Sequence, residues 1–256
     1  MTRPQPEADR QASILADRGL APIISPLLQV RPAPLSAEAL DTLAGAGTIV
    51  ATSRNALRSL ESAPVSLLAT IKAHTALVCV GADTAELARA LGYQVVVAGD
   101  GNAAELAPLA VATAACRSGP LVRLERQPTT ANQAAGFKSP PDPIVVAAEA
   151  AGQTVARLPV YRVDTVPDLT PQALAAFRNG ALDLVVLMSP ATSRAFISAA
   201  ARGVLTLASG LPVYVCISAA AAAPLEHLPQ RCIIVADKPN QAGVLSAVDR
   251  AVARLS

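Results

Sequence analysis

The sequence has no Trp, three Tyr and three Phe, so aromatic residues are 2% of its 256 positions. Few rings are available for bases to stack on. The formal charge is only +2, from 21 Lys and Arg against 19 Asp and Glu, which leaves no basic footprint. Both features exclude a nucleic-acid partner. There are two His, at 74 and 227, and four Cys, at 79, 116, 216 and 232. Their scatter lacks the short spacings of metal ligation, so neither a metal site nor a disulfide framework is expected. The Cys residues read instead as small apolar fillers, with Cys79 and Cys216 on equivalent strands. Long uncharged runs are equally scarce. The stretch 207–225 approaches the length of a bilayer, but Gly210 and Pro212 interrupt it early. The run Val213-Tyr214-Val215 then reads as a strand, and Ser218 as the cap of a short Ala-rich helix. Residues 1–10 are polar and lack the apolar segment of a signal peptide. The expectation is a cytoplasmic protein with reduced thiols and no membrane contact.

What is present is an apolar fraction of 52%, too high for a disordered chain. It is concentrated in short aliphatic runs that end in small polar residues. These are 48–53, 77–81, 94–98, 184–189, 212–218 and 232–236. Unbroken runs of this kind suit strands buried on both faces, as in parallel sheets. Between them lie amphipathic stretches, at 36–43, 53–60, 84–91, 103–115, 171–177, 193–201 and 241–255. The alternation predicts an α/β fold with mostly parallel sheets.

The chain also contains a degraded duplication. Leu35-Ser36-x-x-Ala39-Leu40 recurs as Leu169-Thr170-x-x-Ala173-Leu174. The strand end at Ser53 recurs at Ser189, Val80-Gly81-x-x-Thr84-Ala85 as Ile217-Ser218-x-x-Ala221-Ala222, and Asn102 as Asn240. The order is kept throughout, as loop insertions between two homologous α/β halves would leave it. Two Pro-punctuated extended segments, at about 30–34 and 161–167, occupy matching positions and read as linkers. They predict a first, discontinuous domain of 1–30 plus 166–256 and a second of 34–160. A sequential split near residue 125 is the other reading.

In open α/β sheets, ligands bind beyond the carboxyl ends of the strands, where helix N-termini present free N–H groups to anions. This chain places small hydroxyl residues and glycine at those points: Thr2-Arg3, Thr52-Ser53-Arg54-Asn55, Gly81 with Thr84, Ser189 and Ser218. Any one of them also suits a simple helix cap. As a set, they describe a surface of N–H and hydroxyl donors suited to a ligand with many carboxylates.

These segments, in order, resemble the uroporphyrinogen-III synthase family. The matching stretches are Thr2-Arg3-Pro4, Pro26-Leu27-Leu28-Gln29-Val30, Thr52-Ser53-Arg54-Asn55-Ala56-Leu57 and Val80-Gly81-Ala82-Asp83-Thr84-Ala85. They continue with Val160-Tyr161-Arg162, Ser189-Pro190 with Ala195-Phe196, and Cys216-Ile217-Ser218. The resemblance implies two flavodoxin-like domains with parallel sheets, joined by a two-stranded linker, with a cleft between them. It implies a lyase that cyclises hydroxymethylbilane to uroporphyrinogen III and inverts ring D through a spiro intermediate. No cofactor and no metal is implied, and the substrate supplies the reactive electrons. Catalysis would rest on positioning, with modest general-acid help.

Carried over by motif, Tyr161 would hydrogen-bond or protonate the departing hydroxyl. Thr84 and Gly81 would bind substrate, and Ser53, Ser189 and Ser218, with nearby backbone N–H groups, would contact acetate or propionate groups. Arg3 and Arg54 would pair with carboxylates, while Arg162 reads as a surface charge. A monomer is expected, because linker-joined domains build their own site. Three departures from the family pattern stand out. Met1 directly precedes Thr2 where the family has a strand, so either the start is truncated or the first strand is missing, which would leave the first domain's sheet short. Ala221 replaces a hydroxyl residue. The segment 126–143 is rich in Pro and polar residues and reads as an irregular loop. A two-lobed, catalytically weak or inactive binding protein for a small anionic metabolite is the alternative function that these departures keep open.

Overall fold

The computed structural model describes residues 1–99, 102–128, 141–202, 212–228 and 232–255. The chain divides into two compact units, one of residues 30–163 and one of 1–29 with 164–256.

In the 30–163 unit the order of elements is α2 (Ala37–Ala44), β2 (Thr48–Ala51), α3 (Arg54–Leu60), α4 (Val65–His74), β3 (Ala76–Val80) and α5 (Ala82–Ala90). It continues with β4 (Val96–Gly99), α6 (Ala103–Ala115), β5 (Leu121–Arg126) and α7 (Pro143–Ala150). Strands β5, β2, β3 and β4 lie side by side in parallel. All four residues of β2 are buried, as expected of a strand covered on both faces. Alternate side chains go to opposite faces. Ile49, Ala51, Leu77 and Cys79 pack with Leu57, Leu60 and Ile71 of α3 and α4. Val50, Val78 and Leu121 pack with Leu106, Ala110 and Ile144 of α6 and α7. Each fully buried Leu or Ile contributes roughly 1.5–3 kcal/mol of transfer free energy.

Two strands carry the chain between units: β1 (Leu28–Pro32) and β6 (Val155–Thr165). They are neighbours in the sheet. The Ala33 N–H donates to the Val160 carbonyl at 2.8 Å, and the Val166 N–H donates to the Leu27 carbonyl at 2.9 Å. One strand therefore advances as the other recedes, and the pair is antiparallel. The expected two-stranded linker is thus strand over residues 30–32 and 161–165, and Pro159 is tolerated inside β6.

The other unit opens with α1 (Glu7–Ala16) and continues after β6 with α8 (Pro171–Arg178), β7 (Leu184–Leu187) and α9 (Pro190–Arg202). Then come β8 (Val213–Cys216), α10 (Ala219–Ala222), a 3-10 turn at Ala223–Leu225, β9 (Cys232–Val235) and α11 (Gln241–Leu255). Strands β7, β8 and β9 are parallel. On one face Leu187, Tyr214 and Cys216 meet Phe196 and Ala199 of α9. The Phe196 ring sits edge-on to Tyr214, with centroids 5.8 Å apart. On the other face Val186, Val215 and Ile234 meet Val244, Ala247 and Val248 of α11, with Leu15 of α1.

The helix starts follow from their caps. Ser36, Ser53, Asn102, Asp142, Thr170 and Ser218 each accept a backbone N–H two or three positions further on, in the first turn of the following helix. Pro143 and Pro171 stand at first helical positions, where a missing N–H costs nothing. Pro224 falls in the 3-10 turn and ends the Ala-rich helix after four residues.

Some expectations need correcting. Cys79 and Cys216 are buried fillers, but Cys116 is exposed and Cys232 half-buried, because they lie at the ends of α6 and β9. Within the expected irregular segment 126–143, Arg126 closes β5 and Pro143 opens α7, residues 127–128 and 141–142 have no regular structure, and 129–140 lie outside the described residues, as do 207–211. No helix among the described residues is long and apolar enough to cross a membrane.

Candidate functional site

The candidate residues fall into two sets, one in each unit. In the 30–163 unit, β2 and β3 run in parallel register with Thr48 opposite Ala76. Extending that register puts Ser53 and Gly81 at one level, just past the carboxyl ends of their strands. Thr48 also faces Leu121, which brings Arg126 to the same level, and Arg126 faces Tyr161 of β6. Ser53, Gly81 and Tyr161 therefore share one rim of the sheet. Tyr161 stands two strand spacings, or roughly 10 Å, from Ser53.

Local chemistry explains each position. The Ser53 hydroxyl accepts the Asn55 N–H at 3.1 Å and starts α3, leaving Arg54 as its first residue. The Arg54 guanidinium is half-buried and lies 3.8 Å from the Asp83 carboxylate on the first turn of α5. Gly81 precedes α5 with φ of +74°, a left-handed conformation that favours glycine. It provides no side-chain cap, and a Cβ there would meet nothing within 4 Å. No side chain caps the first turn of α5, and the positive end of its helix dipole lies on the same side as the Arg54–Asp83 pair. Thr84, on the same first turn, is buried at 6% exposure. Tyr161 is half-buried, with its ring against the core beneath β6, and its carbonyl accepts the Gln127 N–H at 2.7 Å.

In the other unit, Leu187 faces Cys216, so Ser189 and Ser218 stand at equivalent strand ends. The Ser189 hydroxyl accepts the Thr192 N–H at 3.1 Å and lies 2.8 Å from the Thr192 hydroxyl. The Ser218 hydroxyl accepts the Ala221 N–H at 3.3 Å. Arg3 follows Thr2, whose buried hydroxyl donates to the Val186 carbonyl at 2.7 Å and so places Arg3 beside β7. A cavity of about 660 Å³ also exists in this unit, lined by Leu15, Ile23, Leu184 and Val248 among others. It opens at the amino end of β7 and none of the candidate residues lines it.

Two polar groups close to these rims were not foreseen. Ser193 is fully buried and donates to the Ala221 carbonyl at 2.6 Å, joining α9 to α10. Arg123 of β5 is buried and reaches Thr52. In both, the partners lie far apart in sequence, so no local pattern marks them. Among the described residues, no three His, Cys, Asp or Glu side chains come together as a metal site would need.

A family model described as uroporphyrinogen-III synthase HemD matches residues 9–246. Two solved structures share the architecture. The uroporphyrinogen-III synthetase of Helicobacter pylori 26695 is 14% identical, with 88% of this chain and 90% of that chain covered, at a TM-score of 0.56. A mutant uroporphyrinogen III synthase from the extremely thermophilic bacterium Thermus thermophilus is 17% identical, with 99% of this chain and 100% of that chain covered, at a TM-score of 0.51. At such identities the likeness is one of fold. No curated protein sequence matches this chain.

Proposed function

The chain belongs to the uroporphyrinogen-III synthase family, and from that premise we propose how its own residues divide the work. It is an enzyme of the lyase class that cyclises hydroxymethylbilane to uroporphyrinogen III, with ring D inverted, in haem biosynthesis. The observation that carries this is the family match over residues 9–246, nearly the whole chain.

In our reading, the Tyr161 hydroxyl donates to the substrate's departing hydroxyl, which leaves as water. A neutral phenol has the proton to give. The azafulvene so formed is attacked by the substituted carbon of the far pyrrole. The resulting spiro intermediate fragments and recloses with ring D reversed. Thr84, Gly81, Ser53 and Arg54 hold carboxylates in the 30–163 unit. The first turn of α5 supports this, since no side chain caps it and the Arg54 guanidinium lies by its Asp83. Arg3, Ser189 and Ser218 do the same in the other unit. Holding a flexible, self-reactive chain in one conformation is the main catalytic task, and positioning can supply most of the needed rate.

We place the enzyme in the cytoplasm as a monomer; its four unpaired cysteines fit a reducing compartment. The test of function is a coupled assay that generates hydroxymethylbilane and separates the oxidised products by isomer. Type III is the expected product. Type I alone, the outcome of spontaneous closure, would refute the assignment.

A further inference from the structure

Arg123 is a charged residue in the middle of a sheet, and its whole residue is 7% exposed. Its guanidinium has partners on three sides. Nε donates to Asp142 Oδ2 at 3.0 Å, Nη1 to the Leu124 carbonyl at 2.6 Å, and Nη2 to the Thr52 hydroxyl at 2.9 Å. Asp142 is occupied on its other oxygen too, since Oδ1 accepts the Ile144 N–H at 2.9 Å and starts α7. Taking two charges out of water is costly unless every remaining donor and lone pair is used. Here each guanidinium nitrogen donates once and each carboxylate oxygen accepts once. A buried pair of this kind contributes little net stability, but it fixes the relative positions of what it joins.

It joins the exit of β2, the body of β5 and the start of α7. The exit of β2 is the sensitive point. Thr52 immediately precedes Ser53 and Arg54, and Thr48–Ala51 is the last regular stretch before them. A guanidinium bond at the Thr52 hydroxyl removes the freedom of that turn, and a lysine could not replace it, because one ammonium lacks the planar fork that reaches three acceptors in three directions. We propose that Arg123 is a positioning residue: through Thr52 it sets the orientation of Ser53 and Arg54 toward the substrate's carboxylates. The inference rests on the substrate-binding role proposed above for that turn.

The test uses the full-length enzyme. Thr52→Val removes the Nη2 bond but leaves the Arg123–Asp142 pair and the side-chain volume nearly intact. Positioning predicts a KM for hydroxymethylbilane raised at least ~5-fold, with kcat within about twofold and the melting temperature unchanged. Thr52→Ser, which keeps the hydroxyl, restores the wild-type KM. Arg123→Lys raises KM as Thr52→Val does. If Thr52→Val keeps the wild-type KM, the inference fails. It fails equally if kcat and melting temperature fall together at constant KM, because that is a merely structural role. Calorimetric titration with uroporphyrin III separates this from a failure of the assigned activity. Should the wild type yield only the type I isomer, weaker binding by Thr52→Val, again at least ~5-fold, would still uphold the clamp, and equal binding would reject it.

Discussion

At the residue scale, the chemistry assigned to this chain depends on one phenol and a few donors. Tyr161→Phe keeps the ring that packs beneath β6 and removes only the hydroxyl. Formation of the type III isomer should fall at least several-fold at fixed enzyme concentration, with spontaneous type I closure unaffected. Isomer separation of the oxidised products measures both. An unchanged type III yield would remove Tyr161 from the mechanism. The hydroxyl residues at strand ends were legible in the sequence because each ends an aliphatic run and opens a helix. Arg123 was not. A charge inside Leu121–Arg126 makes that strand look like surface, and what permits its burial is Asp142, nineteen positions away.

At the element scale, the strands were read from unbroken aliphatic runs and the helices from capped amphipathic stretches. The helices missed have physical reasons. Helix α1 follows Pro4 and Pro6 and half of its residues are polar, α4 follows Pro64 without a side-chain cap, and α7 opens at the end of the Pro-rich segment read as a loop. The linker read at 161–167 is the second half of a longer strand, β6, which runs for eleven residues from Val155 through Pro159. Turns between elements are testable too. Gly119, between α6 and β5, has φ of +101°, and a Cβ there would lie 2.2 Å from the Gly45 carbonyl oxygen. Gly152, between α7 and β6, has φ of +73° with open space around it. Gly152→Ala should therefore cost only the backbone term, about 1–2 kcal/mol. Gly119→Ala should cost distinctly more, because two backbone segments must separate as well. Urea unfolding of both variants gives the comparison, and equal losses would contradict it.

At the scale of the whole molecule, the net charge is too small to steer an acidic substrate, so recognition must be local. Stability against alkali is also a property of the whole chain. Burial pushes the Cys79 and Cys216 thiols up to about 12, with nearby Arg89 partly offsetting the shift at Cys79, and burial pushes the Tyr214 phenol up to about 12. In the unfolded chain these groups ionise near their ordinary values, so above pH ~9 the unfolded state binds fewer protons than the folded one. The contribution is complete below that pH and declines as pH rises toward 12. Urea midpoints measured from pH 8 to pH 10.5 should fall, and the fall should be shallower in Cys79→Ala/Cys216→Ala. A flat profile in the parent would show that the thiols ionise freely.

The two crossings of the chain, at β1 and β6, also set a timetable for biosynthesis. The first 29 residues leave the ribosome well before their partners, since β7, β8 and β9 all follow residue 183. The 30–163 unit is complete when its last strand emerges and can condense at once. The N-terminal arm must wait through that whole interval, with Leu15 and Leu27 exposed, until the last third of the polypeptide arrives to cover them. Until then residues 1–29 are open to chaperones and to proteolysis.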